Sequence, residues 1–192
     1  MRYGLIPLVL SAGLLAGCGE TPVRFAPPVP TPGAAATVER VGIAYSSVEV
    51  LEVSLPSYAN SDEIYVREGD GGLRKKSGVL WTDEPSRAMT LELSRTLSQI
   101  TGRRVAPEPW PFADRAQARV DVRVEEMFAD GDTRFVISGQ YFVAPEDGGR
   151  DRAGVFTLAA PVATDGGPAA LAAARGQVVR ELAQLIARQG LR

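Results

Sequence analysis

Residues 120–143 read VDVRVEEMFADGDTRFVISGQYFV, and this stretch decides the fold. Val120, Val122 and Val124 alternate with Asp121, Arg123 and Glu125. Successive side chains of a strand point to opposite faces, so a period of two marks a strand with one buried face. Asp130-Gly131 supplies a turn, and Phe135, Ile137, Gly139, Tyr141 and Val143 then fall on a single face of a returning strand. Asp147-Gly148-Gly149 is a further turn, followed by a third strand expected over 155–162. The centre of the domain is therefore expected to be an antiparallel meander.

Upstream, Val41, Ile43 and Tyr45 alternate with small or polar residues and predict a strand. Val48, Val50, Leu51, Val53 and Leu55 predict another, stopped by Pro56. Ile64 to Val66 and Leu73 to Lys75 flank Asp70-Gly71-Gly72 as a hairpin, and Val79 to Trp81 predict a short strand.

The period then changes. Met89, Leu93, Leu97 and Ile100 recur at helical spacing, with Asp83 as a candidate cap, Pro85 in the first turn and Gly102 at the end. This predicts a helix over about 84–101. Asp165-Gly166-Gly167-Pro168 opens a second helix, about 168–189, with Leu171, Ala174, Val178, Leu182 and Leu185 in one stripe. Two helices with one apolar stripe each, and strands with one apolar face, bury both by stacking. The expected fold is α+β: a two-layer sandwich of a mostly antiparallel or mixed sheet with two main helices.

The N-terminus follows different rules. Arg2 precedes an apolar run from Leu5, and Leu15-Ala16-Gly17-Cys18 closes it. A charged start, a short apolar core and small residues make a signal peptide, too short to span a bilayer, which takes ~20 residues. The four residues resemble the bacterial lipobox. That resemblance implies cleavage between Gly17 and Cys18 and acylation of the Cys18 thiol, the single cysteine of the chain. One acyl chain anchors only marginally, and two or more anchor stably. Gly19 follows the cysteine where an aspartate favours inner-membrane retention, which implies the outer membrane. Residues 18–36, with Pro22, Pro27, Pro28, Pro30 and Pro32, read as a lipidated cysteine and an extended tether reaching up to roughly 50 Å. Residues 37–192 are then a single periplasmic domain.

Without Arg2 the mature chain holds 20 Lys+Arg against 23 Asp+Glu. That balance speaks against nucleic acid, which favours basic domains. There is no histidine, so Ser-His-Asp catalysis and His-ligated zinc are excluded. No metal, and no cofactor beyond the covalent lipid on Cys18, is expected. Asp62-Glu63 and Asp83-Glu84 are acidic pairs better read as turn and helix-end charge than as acid–base machinery. Arg74-Lys75-Lys76 reads as a solvated strand end. Trp110 and Phe112, among Pro107, Pro109 and Pro111, form a loop whose aromatics either plug the core or make a contact patch for a partner.

Leu55-Pro56-Ser57-Tyr58, then Ile64 and Arg67, then Leu80-Trp81-Thr82-Asp83-Glu84-Pro85 leading to Leu93 and Leu97, resembles the PqiC family in order and spacing. These are auxiliary lipoproteins of ABC-type transport that work beside MCE proteins in lipid traffic between the inner and outer membranes. The resemblance implies a non-enzymatic subunit, anchored in the outer membrane and partnered by MCE-type proteins, with a homo-oligomer among the expected assemblies. Pro56, Tyr58, Trp81 and Pro85 belong to the family-like motif and are read as structural. The competing expectation is an assembly lipoprotein of another envelope machine, handling lipopolysaccharide or peptidoglycan.

Overall fold

A computed structural model describes residues 21–28 and 40–192. Gly17, Cys18, Gly19 and the expected domain start near residue 37 lie outside the described residues. The elements run β1 (Val23–Phe25), β2 (Ser47–Val50), β3 (Glu63–Arg67), β4 (Leu73–Trp81), α1 (Pro85–Thr101), β5 (Arg104–Pro107), β6 (Ala118–Asp130), β7 (Arg134–Pro145), β8 (Arg152–Pro161) and α2 (Gly167–Leu185). The fold is α+β, with the eight strands in one open, mixed sheet.

β6 and β7 are the quoted stretch, paired antiparallel from Ala118↔Pro145 to Asp130↔Arg134, and β8 continues the meander on β7. The register shifts between Val124 and Glu126, leaving Glu125 as an extra residue on β6. Such a bulge exchanges the two faces of one strand. Ala118, Val120, Val122 and Val124 point inward before it, Met127 and Ala129 after it, and both Glu125 and Glu126 stay exposed. β7 has no such break, so Phe135 to Val143 keep one face throughout. Gly139 sits opposite the bulge. A Cβ there would lie 2.1 Å from the Arg123 carbonyl oxygen and 2.9 Å from the Val124 Cα.

The other edge of β6 is shared. β2 lies parallel along Ala118–Val120, and β3 lies parallel at Ala129–Asp130. Between them the chain keeps contact through a bridge, Ser54↔Arg123. β5 extends the sheet beyond β2, and β4 then β1 extend it beyond β3. The sheet is thus split into two lobes on one side of β6 and is a plain meander on the other.

α1 and α2 pack together and bury their stripes on the sheet. Leu93, Leu97, Val178 and Leu182 are essentially inaccessible and belong to one core cluster with Trp81, Phe135 and Ile137. Gly102 ends α1 in the left-handed conformation, its N–H donating to the Ser98 carbonyl. α2 runs on through a π-type turn, Ile186–Gly190.

Several expectations are corrected. Residues 41–45 form no strand. Val41 N–H donates to the Ile100 carbonyl (2.8 Å) and Ala44 N–H to the Leu191 carbonyl (2.7 Å), so the segment serves chain-end acceptors that a helix leaves open. Of the strand expected through Leu55, only Ser47–Val50 is regular. Beyond it, Val53 N–H donates to Thr90 Oγ1 (2.8 Å) and its carbonyl accepts from Ser86 Oγ (2.5 Å), both on α1. Residues 73–75 and 79–81 belong to one strand, β4, with Gly78 at φ +75° inside it. The side chain of Asp83 does not cap α1, whose N-cap is Glu84; it accepts from Glu84 N–H (2.9 Å) and pairs with Arg87. β5, Arg104–Pro107, was not expected; it ends at Pro107, the first proline of the expected loop. β1 lies inside the segment expected to be a tether. Thr82 N–H donates to the Phe25 carbonyl (3.1 Å), Arg24 donates to the Trp81 carbonyl (2.8 Å) and pairs with Asp62 (2.9 Å), and Phe25 packs on the core. An arginine and one aromatic give this short strand what proline-rich flanks cannot.

Leu93→Ala and Leu182→Ala each remove a fully buried side chain and are expected to cost ~2–5 kcal/mol in urea unfolding. Costs below about 1 kcal/mol would contradict their place in the core. Gly139→Ala forces a methyl against backbone and is expected to cost ~1–3 kcal/mol. Gly42→Ala, where a Cβ meets nothing within 4 Å, is the control and should stay within about 0.5 kcal/mol of wild type.

Candidate functional site

The loop between β5 and β6 carries the aromatic pair singled out by the sequence. Trp110 is half-buried and Phe112 is 42% exposed. Their rings meet edge to face, 4.8 Å between centroids, a favoured aromatic geometry. Trp110 neither plugs the core nor stands free. Its backbone N–H donates to Glu49 Oε1 (3.1 Å) and its indole N–H to the Asp114 carbonyl (2.5 Å). Arg104, from β5, lies 5.0 Å from the Phe112 centroid and 6.0 Å from that of Trp110. Its guanidinium also pairs with Asp114 (2.5 Å) and holds that carboxyl below the usual carboxylate range. Arg119 links Glu49 (3.2 Å) to Glu146 (2.9 Å) alongside. The result is an aromatic surface with one cation, fixed at both ends to the β2–β5 lobe.

The family-like residues do structural work. Pro56 precedes a short 3-10 turn, Ser57–Ala59. Tyr58 Oη accepts from Met127 N–H (3.0 Å), a strand donor that points into the gap between β2 and β3. Burial pushes the Tyr58 hydroxyl up, and its ring packs edge-on against Tyr65 at 5.3 Å. Trp81 is buried against Phe135, with ring centroids 6.2 Å apart. Pro85 opens α1 at its first turn. The motif thus holds β2, β3 and α1 around β6.

Three of the four carboxylates of the acidic pairs hold a cation, and the fourth, Glu84, is the N-cap residue of α1. Asp62 pairs with Arg24, Glu63 with Lys75 (2.5 Å) and Asp83 with Arg87. The basic run lies on β4 beside a cleft of about 520 Å³ that also involves Arg67, Asp130 and Asp132. Each cation there holds a carboxylate: Arg67 with Asp130 (3.2 Å), Arg74 with Glu68 (2.9 Å) and Asp70 (2.8 Å), and Lys76 with Asp132 (3.3 Å). All four cations of that cleft are thus paired. Among the described residues no group of three or more His, Cys, Asp or Glu could hold a metal, and no helix is long and apolar enough to cross a membrane.

One feature escaped the sequence reading. Arg175, on the Ala-rich helix α2, is 2% exposed, with its guanidinium 5.1 Å from the Trp81 ring centroid. A buried arginine carries no periodic signal, because its position on the stripe is indistinguishable from a polar residue beside it.

The comparisons with known proteins agree with this architecture. Two crystal structures share the fold. One, of an uncharacterized protein, is 18% identical, covers 78% of this chain and 97% of its own, and superposes with a TM-score of 0.64. The other, a protein from Xanthomonas campestris, is 17% identical, covers 88% of this chain and 91% of its own, and has a TM-score of 0.61. No curated protein matches the chain significantly. The profile of a lipoprotein family matches residues 26–187, which takes in β2 to β8 and both helices. The chain belongs to the family of ABC-type transport auxiliary lipoprotein components.

Proposed function

We propose that this auxiliary component is anchored in the outer membrane through acyl chains on Cys18, faces the periplasm, and serves an MCE-type lipid transport system as a non-enzymatic subunit. The observation that carries the reading is the family match over residues 26–187 directly downstream of Leu15-Ala16-Gly17-Cys18. The absence of histidine and the engaged carboxylates support a docking role over a catalytic one. The surface formed by Phe112, Trp110 and Arg104 is the proposed contact with the transport partner. Aromatic and arginine side chains are enriched at binding hot spots, and a loop already fixed by hydrogen bonds loses little entropy on binding.

β1 changes the reach of the anchor. Val23 is five positions from Cys18, with four residues between them, and an extended chain covers at most ~3.6 Å per position. If Cys18 is acylated, the start of the sheet lies within roughly 18 Å of the lipid, and the longer tether reading is set aside.

Cys18→Ser is expected to release the protein from outer membranes after a high-salt wash, and Gly19→Asp to shift it toward the inner membrane. Fractionation decides both, and unchanged partitioning of Cys18→Ser would overturn the anchor. For the partner, crosslinking in the native envelope should capture an MCE-type protein. Phe112→Ala, which removes an exposed ring, should weaken that association by about 2 kcal/mol, roughly thirty-fold, with an unchanged melting temperature. Undiminished crosslinking by a combined Trp110→Ala and Phe112→Ala variant would exclude this loop as the contact.

A further inference from the structure

Arg175 is buried without adequate compensation. Its Nε and Nη2 atoms have no hydrogen-bond partner. Its nearest carboxylate oxygen, Glu92 Oε2, is 3.9 Å from Nη2, beyond hydrogen-bond distance. A guanidinium presents five N–H donors in a fixed fork and does not lose its charge. Leaving such a group unpaired in the interior is costly. The ring of Trp81 beneath it offsets part of the charge and accepts none of the in-plane hydrogen bonds.

Arg175, its side chain 3% exposed, is also among the residues that line a cleft of about 250 Å³ between α1, α2 and the segment that follows β1. Arg95 and Arg180 stand on its walls, with Pro27, Leu91 and Glu92. Three cations therefore face two carboxylates, Glu92 and Asp83, the latter shared with Arg87. Burial pushes the Glu92 carboxyl up from its usual range, against the pull of Arg175, Arg180 and Arg95. Next to Arg175, Gly176 lets α2 approach two of the lining residues: a Cβ there would lie 2.9 Å from Pro27 Cβ and 3.1 Å from Glu92 Oε1. At about 30 Å³ per water the space exceeds a single water several-fold.

We propose that this cleft is an oxyanion site in which Arg175, flanked by Arg95 and Arg180, holds a phosphate group. A phosphate oxygen pair matches the unsatisfied Nε and Nη2 edge of the guanidinium in the bidentate geometry that arginine prefers. The apolar wall from Pro27 and Leu91 suits an ester substituent. The shared chemistry is the phosphate, whether free or in a lipid headgroup.

The test uses the full chain, extracted in neutral detergent. Inorganic phosphate is titrated against chloride at equal ionic strength, with melting temperature and calorimetric Kd as readouts. The wild type should show a saturable rise with phosphate and none with chloride. The combined Arg95→Ala and Arg180→Ala variant, altered only at the cleft walls, should bind at least tenfold more weakly. Arg175→Met should abolish binding, and if it fails to fold the wall variant decides. Dihexanoyl-phosphatidylglycerol below its micellar concentration is titrated in parallel. At least tenfold tighter binding than phosphate assigns the site to a lipid headgroup, and equal affinity assigns it to free phosphate. The proposal is overturned if neither probe exceeds chloride, or if the wall variant binds with an unchanged Kd. None of these readouts depends on the membrane anchor or the transport partner.

Discussion

The structure depends on one strand being longer than either neighbour on one of its two edges. β6 runs for 13 residues and pairs with β7 along its whole length. On its other edge β2 and β3 are too short to do the same, so they take one end each. The unpaired interval would leave strand donors without acceptors, a cost that buried backbone rarely bears. Two devices close it. Ser54 bridges to Arg123, its carbonyl accepting from Val124 N–H, and the Tyr58 hydroxyl accepts from Met127 N–H. The bulge at Glu125 lies in the same interval, where the sheet divides into its two lobes.

This organisation was legible in part. The period of two gave β6, β7 and β8, and the change to a period of 3.6 gave both helices within a few residues. Pro85 and Gly102 marked the ends of α1, because each works through local backbone chemistry. What could not be read was pairing. Alternation tells which side chains share a face and says nothing of which strand lies beside which. The parallel contacts of β2 with β5 and β6 join residues about 55 to 70 positions apart. The bulge is visible only in hindsight, in two adjacent glutamates opposite a glycine. Val41 and Ile43 alternate as a strand does, yet their buried faces meet helix ends instead of a neighbouring ladder.

The sites divide the same way. Trp110 and Phe112 were conspicuous as aromatics in a proline-rich loop, but their exposure depends on Glu49, Arg104 and Asp114, which the fold brings in from elsewhere. Tyr58 was marked by resemblance, and its structural role follows from a single hydrogen bond across 69 positions. Arg175 had no signal at all. Its meaning comes from the burial of a charge over Trp81 and from the walls that α1 and the N-terminal segment place around it.

The split sheet also bears on how the domain would sit under the proposed anchoring. β1 belongs to the β3–β4 lobe, and the aromatic loop belongs to the β2–β5 lobe. The two lobes meet β6 at Val120 and Ala129, where Val50 and Val66 are their respective partners. Nine residues of strand at about 3.3 Å each put roughly 30 Å between those levels. Under the proposed anchoring and docking, the rigid strand would set much of the separation between lipid and contact surface. A rigid spacer would confine the aromatic surface to a narrow range of positions and raise its effective concentration for a partner in that range. On that reading the length of β6 would be a functional dimension as well as a structural one. The bulge that bends it and the Tyr58 hydroxyl that secures it would act on docking without touching the partner.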